Sequence, residues 1–153
     1  RQLVGTPLYL SRFGQPKTVT DLAAHKLVTV ENGMDSIDWH FRDNNQNIST
    51  FKARGYLRLD SGDAILRCVL NDGGLAMLPT YIVGRHITSG ALMPVLETMV
   101  DERTPIHAVW RQKNHRLPKI EAFLAFLRQL YGDTPYWDIV TAENKKAAAR
   151  ASK

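Results

Sequence analysis

The turn Asp60-Ser61-Gly62-Asp63 combines residue types that could do chemistry. A serine among acids suggests a nucleophile, but a nucleophile needs a partnered base, and the Gly-x-Ser-x-Gly elbow of hydrolases is absent. Helix punctuation accounts for the same residues. Asp60 is placed to cap a helix beginning at Ser61, and Asp63 could return the bond in the manner of a capping box. Ligand contact is a third reading. A helix that starts at the carboxyl end of a parallel strand offers free N–H groups, here those of Ser61, Gly62 and Asp63, and Gly62 permits close approach. The two carboxylates count against a purely anionic ligand.

The other reactive side chains are scattered. His25, His40, His86, His107 and His115 form no metal-ligand spacing, and Cys68 has no partner cysteine. No catalytic residue, metal site or cofactor is expected. Gly73-Gly74 is no dinucleotide fingerprint, because it follows a helix and precedes a strand. A helix stop fits better, with one glycine in the left-handed position and the other turning into the strand.

These residues need elements to hold them. Gln2 to Gly5 reads as a short strand and Pro7 to Arg12 as a helix ending at Gly14. Thr20 is expected to cap a short helix through Asp21 to Ala24, and Lys26 to Val30 reads as a strand. Asp38 to Phe41 is a second short strand, and Arg42 to Thr50 is expected to be a loop. Phe51 to Leu59 alternates cleanly and predicts one half-buried strand. A helix from Ser61 to about Asp72, a buried strand from Leu75 to Leu78 and a helix from Pro79 to Gly90 follow. Ala91 to Leu96 and Thr104 to Trp110 read as strands. The last helix begins at Pro118. Ile120, Phe123, Leu124, Leu127, Leu130 and Tyr131 form its apolar stripe, and Gly132 closes it. Alternating strands and helices predict an α/β fold with a mainly parallel sheet covered by helices.

Composition sets the outer limits. A 44% hydrophobic, 23% charged chain is expected to fold around a real core, with no run long enough to span a membrane. The net charge of +5 sits in the tail: without Lys145, Lys146, Arg150 and Lys153, 16 basic residues face 15 acidic ones. A nucleic-acid surface on the folded body is therefore not expected. The tail itself reads as a frayed or flexible end. Arg1-Gln2-Leu3-Val4 carries neither an initiator Met nor a secretory leader, so the chain is expected to be cut from something longer. The unpaired Cys68 suits a reducing compartment, and a cytoplasmic location is expected.

Taken in order, the segments resemble the effector-binding region of LysR-type bacterial transcriptional regulators. The resemblance is carried by "GTPLYLSRFGQPKTVTDLAAHKLV" (Gly5 to Val28), "WHF" (Trp39 to Phe41), "YLRLDSGDAILRCVLNDGGLAMLPTYIVGRHITSGALMPVL" (Tyr56 to Leu96) and "IHAVWRQKNHRLPKIEAFLAFLRQL" (Ile106 to Leu130). It implies a periplasmic-binding-protein-like (type II) sensor of two α/β lobes joined by crossover strands. Residues 1–131 would be part of that domain. Residues 8–97 would be the second lobe, 1–6 and 104–111 the crossovers, 118–131 a returning first-lobe helix and 132–153 a tail.

The resemblance also implies a small-molecule effector, such as a carboxylate metabolite, in the interlobe cleft. Asp60, Ser61, Gly62 and Asp63 would form a cleft wall, with Thr6 and Pro7 contributing at the hinge. The family's winged helix-turn-helix and most of its first lobe have no counterpart here. DNA would therefore be bound only through that absent part, and the exposed stripe of the last helix would favour self-association. The rival readings are a transporter's solute-receptor lobe and a hydrolase or lyase of related fold.

Overall fold

The computed structural model describes residues 1–43, 45–101, 107–110 and 117–132. The chain divides into two units, Arg1–Arg103 and Thr104–Lys153.

The first unit is built on β1 (Gln2–Gly5), whose four residues are all buried. β1 pairs antiparallel with β6 (Ala76–Leu78) on one side and β7 (Met93–Pro94) on the other. β2 (Val28–Val30) and β5 (Leu57–Leu59) pair in parallel. A parallel bridge between Leu27 and Leu75 joins β2 to the start of β6, with Val28 N–H donating to Leu75 O at 2.9 Å and Leu75 N–H to Lys26 O at 2.8 Å. The spatial order is thus β5-β2-β6-β1-β7, parallel across the first three strands, with β1 running antiparallel to both β6 and β7.

Side chains alternate across this sheet and feed two cores. Val4, Val28, Ala76 and Leu78 face α2 (Gly62–Leu70) and α3 (Thr80–Thr88), meeting Ile65, Leu66, Val69, Val83 and Ile87. Leu3, Leu27, Leu75 and Met77 belong to the other core, with Tyr9 and Leu10 of α1 (Pro7–Phe13). That core also holds Leu22 of a 3-10 turn (Thr20–Ala24), and Trp39, Phe41 and Ala53 of a hairpin formed by β3 (Ile37–Arg42) and β4 (Ile48–Ala53). Each fully buried Leu or Val contributes roughly 1.5–3 kcal/mol. The α/β class follows from this layering of helices on both faces of one sheet.

Several local expectations change. Phe51 to Leu59 is two strands, because the chain breaks at Arg54–Tyr56 to cross onto β2. A Cβ on Gly55 would stand 2.2 Å from Thr29 Oγ1, so only glycine fits that crossing. The alternation survives the break because Ala53 enters one core while Leu57 and Leu59 pack against the other. The stretch Arg42 to Thr50 is not all loop, since Ile48–Thr50 pairs with Arg42–His40 in the hairpin. Thr20 does not cap the short helix. Val19 holds that position, and the Asp21 carboxylate folds back to accept from Lys17 N and Thr18 N at 2.9 and 2.8 Å.

In the second unit, residues 104–106 lie outside the described residues. His107 to Trp110 has no strand pairing, and Val109 is 92% exposed. α4 (Pro118–Tyr131) forms as its pattern predicts, but none of its residues is buried.

Candidate functional site

β5 ends at Leu59 and α2 begins at Gly62, so Asp60 and Ser61 make the turn. The cap is Ser61 rather than Asp60, and the capping box does not form. Ser61 takes the extended conformation (φ −125°, ψ 131°) that an N-cap requires, and its carbonyl accepts the first helical bond from Ile65 N at 3.0 Å. Its side chain makes no capping bond. The N–H groups of Gly62, Asp63 and Ala64 precede that first bond, and no capping side chain takes them. Asp60, Ser61 and Asp63 are exposed. Gly62 has a packing reason to be small, because a Cβ there would meet Ile82 Cδ1 of α3 at 2.9 Å.

The strand registers show what else shares this edge. Val30 lies beside Leu59, and Gln2 beside Leu78. The C-terminal ends of β2, β5 and β6 therefore meet at one edge, where α2 and α3 both begin. Glu31 N–H donates to Leu59 O at 2.8 Å, and the Glu31 carboxylate pairs with Arg58 Nε at 3.3 Å. Arg58 also donates to Met34 O at 3.0 Å. Val30, Met34 (59% exposed) and Tyr81 (57% exposed) leave apolar surface at the same edge. Sequence reading missed Glu31, Arg58, Met34 and Tyr81. The parallel pairing of β2 with β5 was the missing information; once it is known, residues following both strands fall together.

Thr6 and Pro7 lie elsewhere. Thr6 follows Gly5, and the registers Val4–Ala76, Leu27–Leu75 and Val28–Leu57 put it where β2, β5 and β6 start. The six candidate residues thus occupy opposite ends of the parallel strands, and the fold does not bring them together within this unit. The Thr6 hydroxyl is already engaged. It accepts from Tyr9 N at 3.1 Å, capping α1, and donates to the Asp72 carboxylate. Pro7 is the exposed first residue of α1.

Asp72 also explains how α2 stops. Gly73 N–H donates to Cys68 O and Asp72 N–H to Val69 O, both at 3.0 Å, the paired bonds of a Schellman motif. The left-handed residue is Asp72 (φ 60°), not a glycine as the sequence suggested. The glycines are needed for close approach. A Cβ on Gly73 would strike Cys68 Sγ at 2.4 Å, and one on Gly74 would strike Lys26 O at 2.3 Å.

In the first unit, His25, His40 and His86 make separate contacts. His25 Nδ1 sits 3.2 Å from the Tyr9 hydroxyl, His40 Nδ1 lies 3.2 Å from Thr50 Oγ1, and His86 Nε2 accepts from Arg85 Nε at 3.1 Å. Burial lowers the pKa of His86, and the Arg85 charge lowers it further. Among the described residues no group of three His, Cys, Asp or Glu side chains could hold a metal, and no helix is long and apolar enough to cross a membrane. What the α2–α3 edge offers is backbone donors, carboxylates and apolar surface. That combination suits binding and holds no Ser–His pairing.

Comparison with known proteins identifies the family. The HTH-type transcriptional activator TtdR of Escherichia coli K12 is 30% identical over 128 residues, covering 83% of this chain and 41% of that protein. An uncharacterized HTH-type transcriptional regulator of Haemophilus influenzae is 31% identical over 110 residues, 72% of this chain and 38% of that protein. The chain therefore spans about two-fifths of the length of these curated relatives. The regulatory domain of CrgA, a LysR-type transcriptional regulator from Neisseria meningitidis, superposes with a TM-score of 0.69 at 26% identity, covering 84% of this chain and 63% of that one. These relatives are regulators, and the solute-receptor reading finds no support among them. Residues 1–132 match the LysR substrate binding domain, and the chain belongs to that family, with its type II periplasmic-binding-protein-like α/β fold.

Proposed function

We propose that this chain is the small-molecule-sensing part of a LysR-type transcriptional regulator, and that its effector contacts the edge where α2 and α3 begin. The observation that carries the reading is the exposed start of α2 at the carboxyl end of β5, whose first N–H groups take no capping side chain, with the start of α3 beside it. An effector carboxylate would accept from the Ser61 hydroxyl and from the N–H groups of Gly62, Asp63 and Ala64, aided by the helix dipole. The Asp60 and Asp63 carboxylates favour an effector that also donates, for example through a hydroxyl or ammonium group. Thr6 and Pro7 lie at the far end of the strands, away from this edge.

The wider assignment rests on family membership. Residues 8–97 serve as one lobe, 1–6 and 104–111 as crossovers, and 118–131 as a helix of the other lobe, with 132–153 a tail. Effector binding shifts the lobes and so the presentation of DNA-binding domains elsewhere in the regulator. The role is non-enzymatic and cytoplasmic. The apolar stripe of α4, with Phe123 57% and Leu130 52% exposed, drives self-association. A strictly monomeric profile in solution scattering would remove that last element.

The binding test is calorimetry with carboxylate metabolites on the full-length gene product, then on Ser61→Ala and Asp63→Asn. Ser61 is exposed and makes no capping bond, so its loss leaves the fold intact. Affinity that drops in both variants supports the assignment; unchanged affinity in both removes this edge from the site.

A further inference from the structure

At the other end of the strands, a buried tyrosine joins α1 to the start of β2. Tyr9 is fully buried, and its hydroxyl oxygen accepts from Lys26 N–H at 3.0 Å. The same hydroxyl stands 3.2 Å from His25 Nδ1. A tyrosine hydroxyl carries one proton. With its oxygen already accepting from Lys26, that proton goes to His25. His25 Nδ1 is therefore the acceptor, and the neutral ring keeps its proton on Nε2.

We propose that His25 is an acid-released latch on α1. Protonation turns Nδ1 into a donor, and the buried Tyr9 proton then has no acceptor at that position. An unmatched buried hydroxyl is unfavourable, so the imidazolium swings toward solvent and the contact between α1 and β2 opens. The location gives the latch reach. α1 leaves the sheet directly from Thr6, whose hydroxyl also holds Asp72 at the end of α2. Loosening α1 therefore acts on the exit of β1.

Several charged and titratable groups face the ring. Burial lowers the His25 pKa from 6.5, opposed by the Asp21 carboxylate from the ring's own turn. Lys26, next in sequence, lies over the rings of Phe13 and Tyr56 at 5.9 and 5.7 Å. Tyr9 from α1 and Tyr56 from the approach to β5 are neutral at these pH values, both with raised pKa, chiefly through burial. A histidine whose folded pKa is depressed contributes stability that is present above its unfolded pKa and lost as pH falls through its folded value. The latch is thus closed near pH 8 and opens in mild acid.

Nuclear magnetic resonance on the 153-residue chain between pH 8 and 5 tests this, with His25→Asn identifying the ring signal. The His25 midpoint is expected below 6.5, and the Lys26 amide is expected to titrate with it. Tyr9→Phe is expected to raise the midpoint, since the hydrogen bond that favours the neutral ring is gone. His25→Asn keeps an acceptor at the Nδ1 position and cannot gain a proton, so its Lys26 amide is expected to stay still and its Tm to fall less on acidification. If Tyr9→Phe fails to fold, the His25→Asn comparison decides alone. A His25 midpoint at or above 6.5, or a Lys26 amide that moves equally in His25→Asn, overturns the latch.

Discussion

Asp72 is where backbone strain and side-chain bonding oppose each other, which makes it the sharpest place to perturb. Its φ of 60° lies in the left-handed region, which costs an ordinary L-residue about 1–2 kcal/mol. Its carboxylate accepts from the nearly buried Thr6 hydroxyl. A hydrogen bond to a charged group contributes about 1.5–3 kcal/mol, taken here as about 1–2 because Asp72 is half exposed. Asp72→Ala loses the bond and keeps the strained backbone with a residue less suited to it, so about 2–3 kcal/mol is expected. Asp72→Gly loses the bond but relieves the strain, leaving a net change within about 1 kcal/mol. Asp72→Asn keeps an uncharged acceptor and tolerates the backbone, at about 0.5–1 kcal/mol. Thermal unfolding should therefore rank wild type and Asn above or near Gly, with Ala lowest by roughly 5–10 °C. If Ala unfolds with wild type, or Gly unfolds well above it, the Thr6–Asp72 bond contributes nothing and the reasoning fails.

Three further outcomes follow. Gly74→Ala drives a Cβ to 2.3 Å from Lys26 O at φ 133°, against a carbonyl already fixed by Leu75 N–H, so a loss of at least about 3 kcal/mol or failure to fold is expected in denaturant titration. Gly62→Ala meets only the flexible Cδ1 of Ile82 and gains helix propensity, so the same titration should show a change under about 1 kcal/mol. The Asp21 pKa is lowered mainly by bonds from Thr18 N–H and Lys17 N–H, so its contribution is present above 3.8 and lost as pH falls through the lower folded value. Asp21→Asn should therefore unfold below wild type at pH 7 and approach it as pH falls well below 3.8, measured by circular dichroism.

The helices were legible in the sequence because each carries its own punctuation. Pro7 and Gly14 bracket α1, Pro79 precedes α3, and Pro118 and Gly132 bracket α4. Period-2 alternation marked the strands, yet could not show that Gly55 breaks the Phe51–Leu59 run, because the cause is Thr29 on another strand. The Asp60–Asp63 turn could be read as a helix start at a strand end, and it is one. Its neighbours Glu31, Arg58 and Tyr81 could not be read, since they join it only through parallel pairing. Thr6 and Pro7 were grouped with that turn by resemblance, but strand register separates them. The left-handed Asp72 was hidden because glycines stood next to it and a distant threonine steadies it.

The measurement that bears most directly on the sensing role is a thermal-shift screen of small carboxylates with the full-length gene product, repeated with Ser61→Ala and Asp63→Asn. At least one compound should raise the wild-type Tm, and both variants should bind it several-fold more weakly, in line with about 0.5–1.5 kcal/mol per lost hydrogen bond. A compound that stabilises wild type and both variants to the same extent would contradict the account.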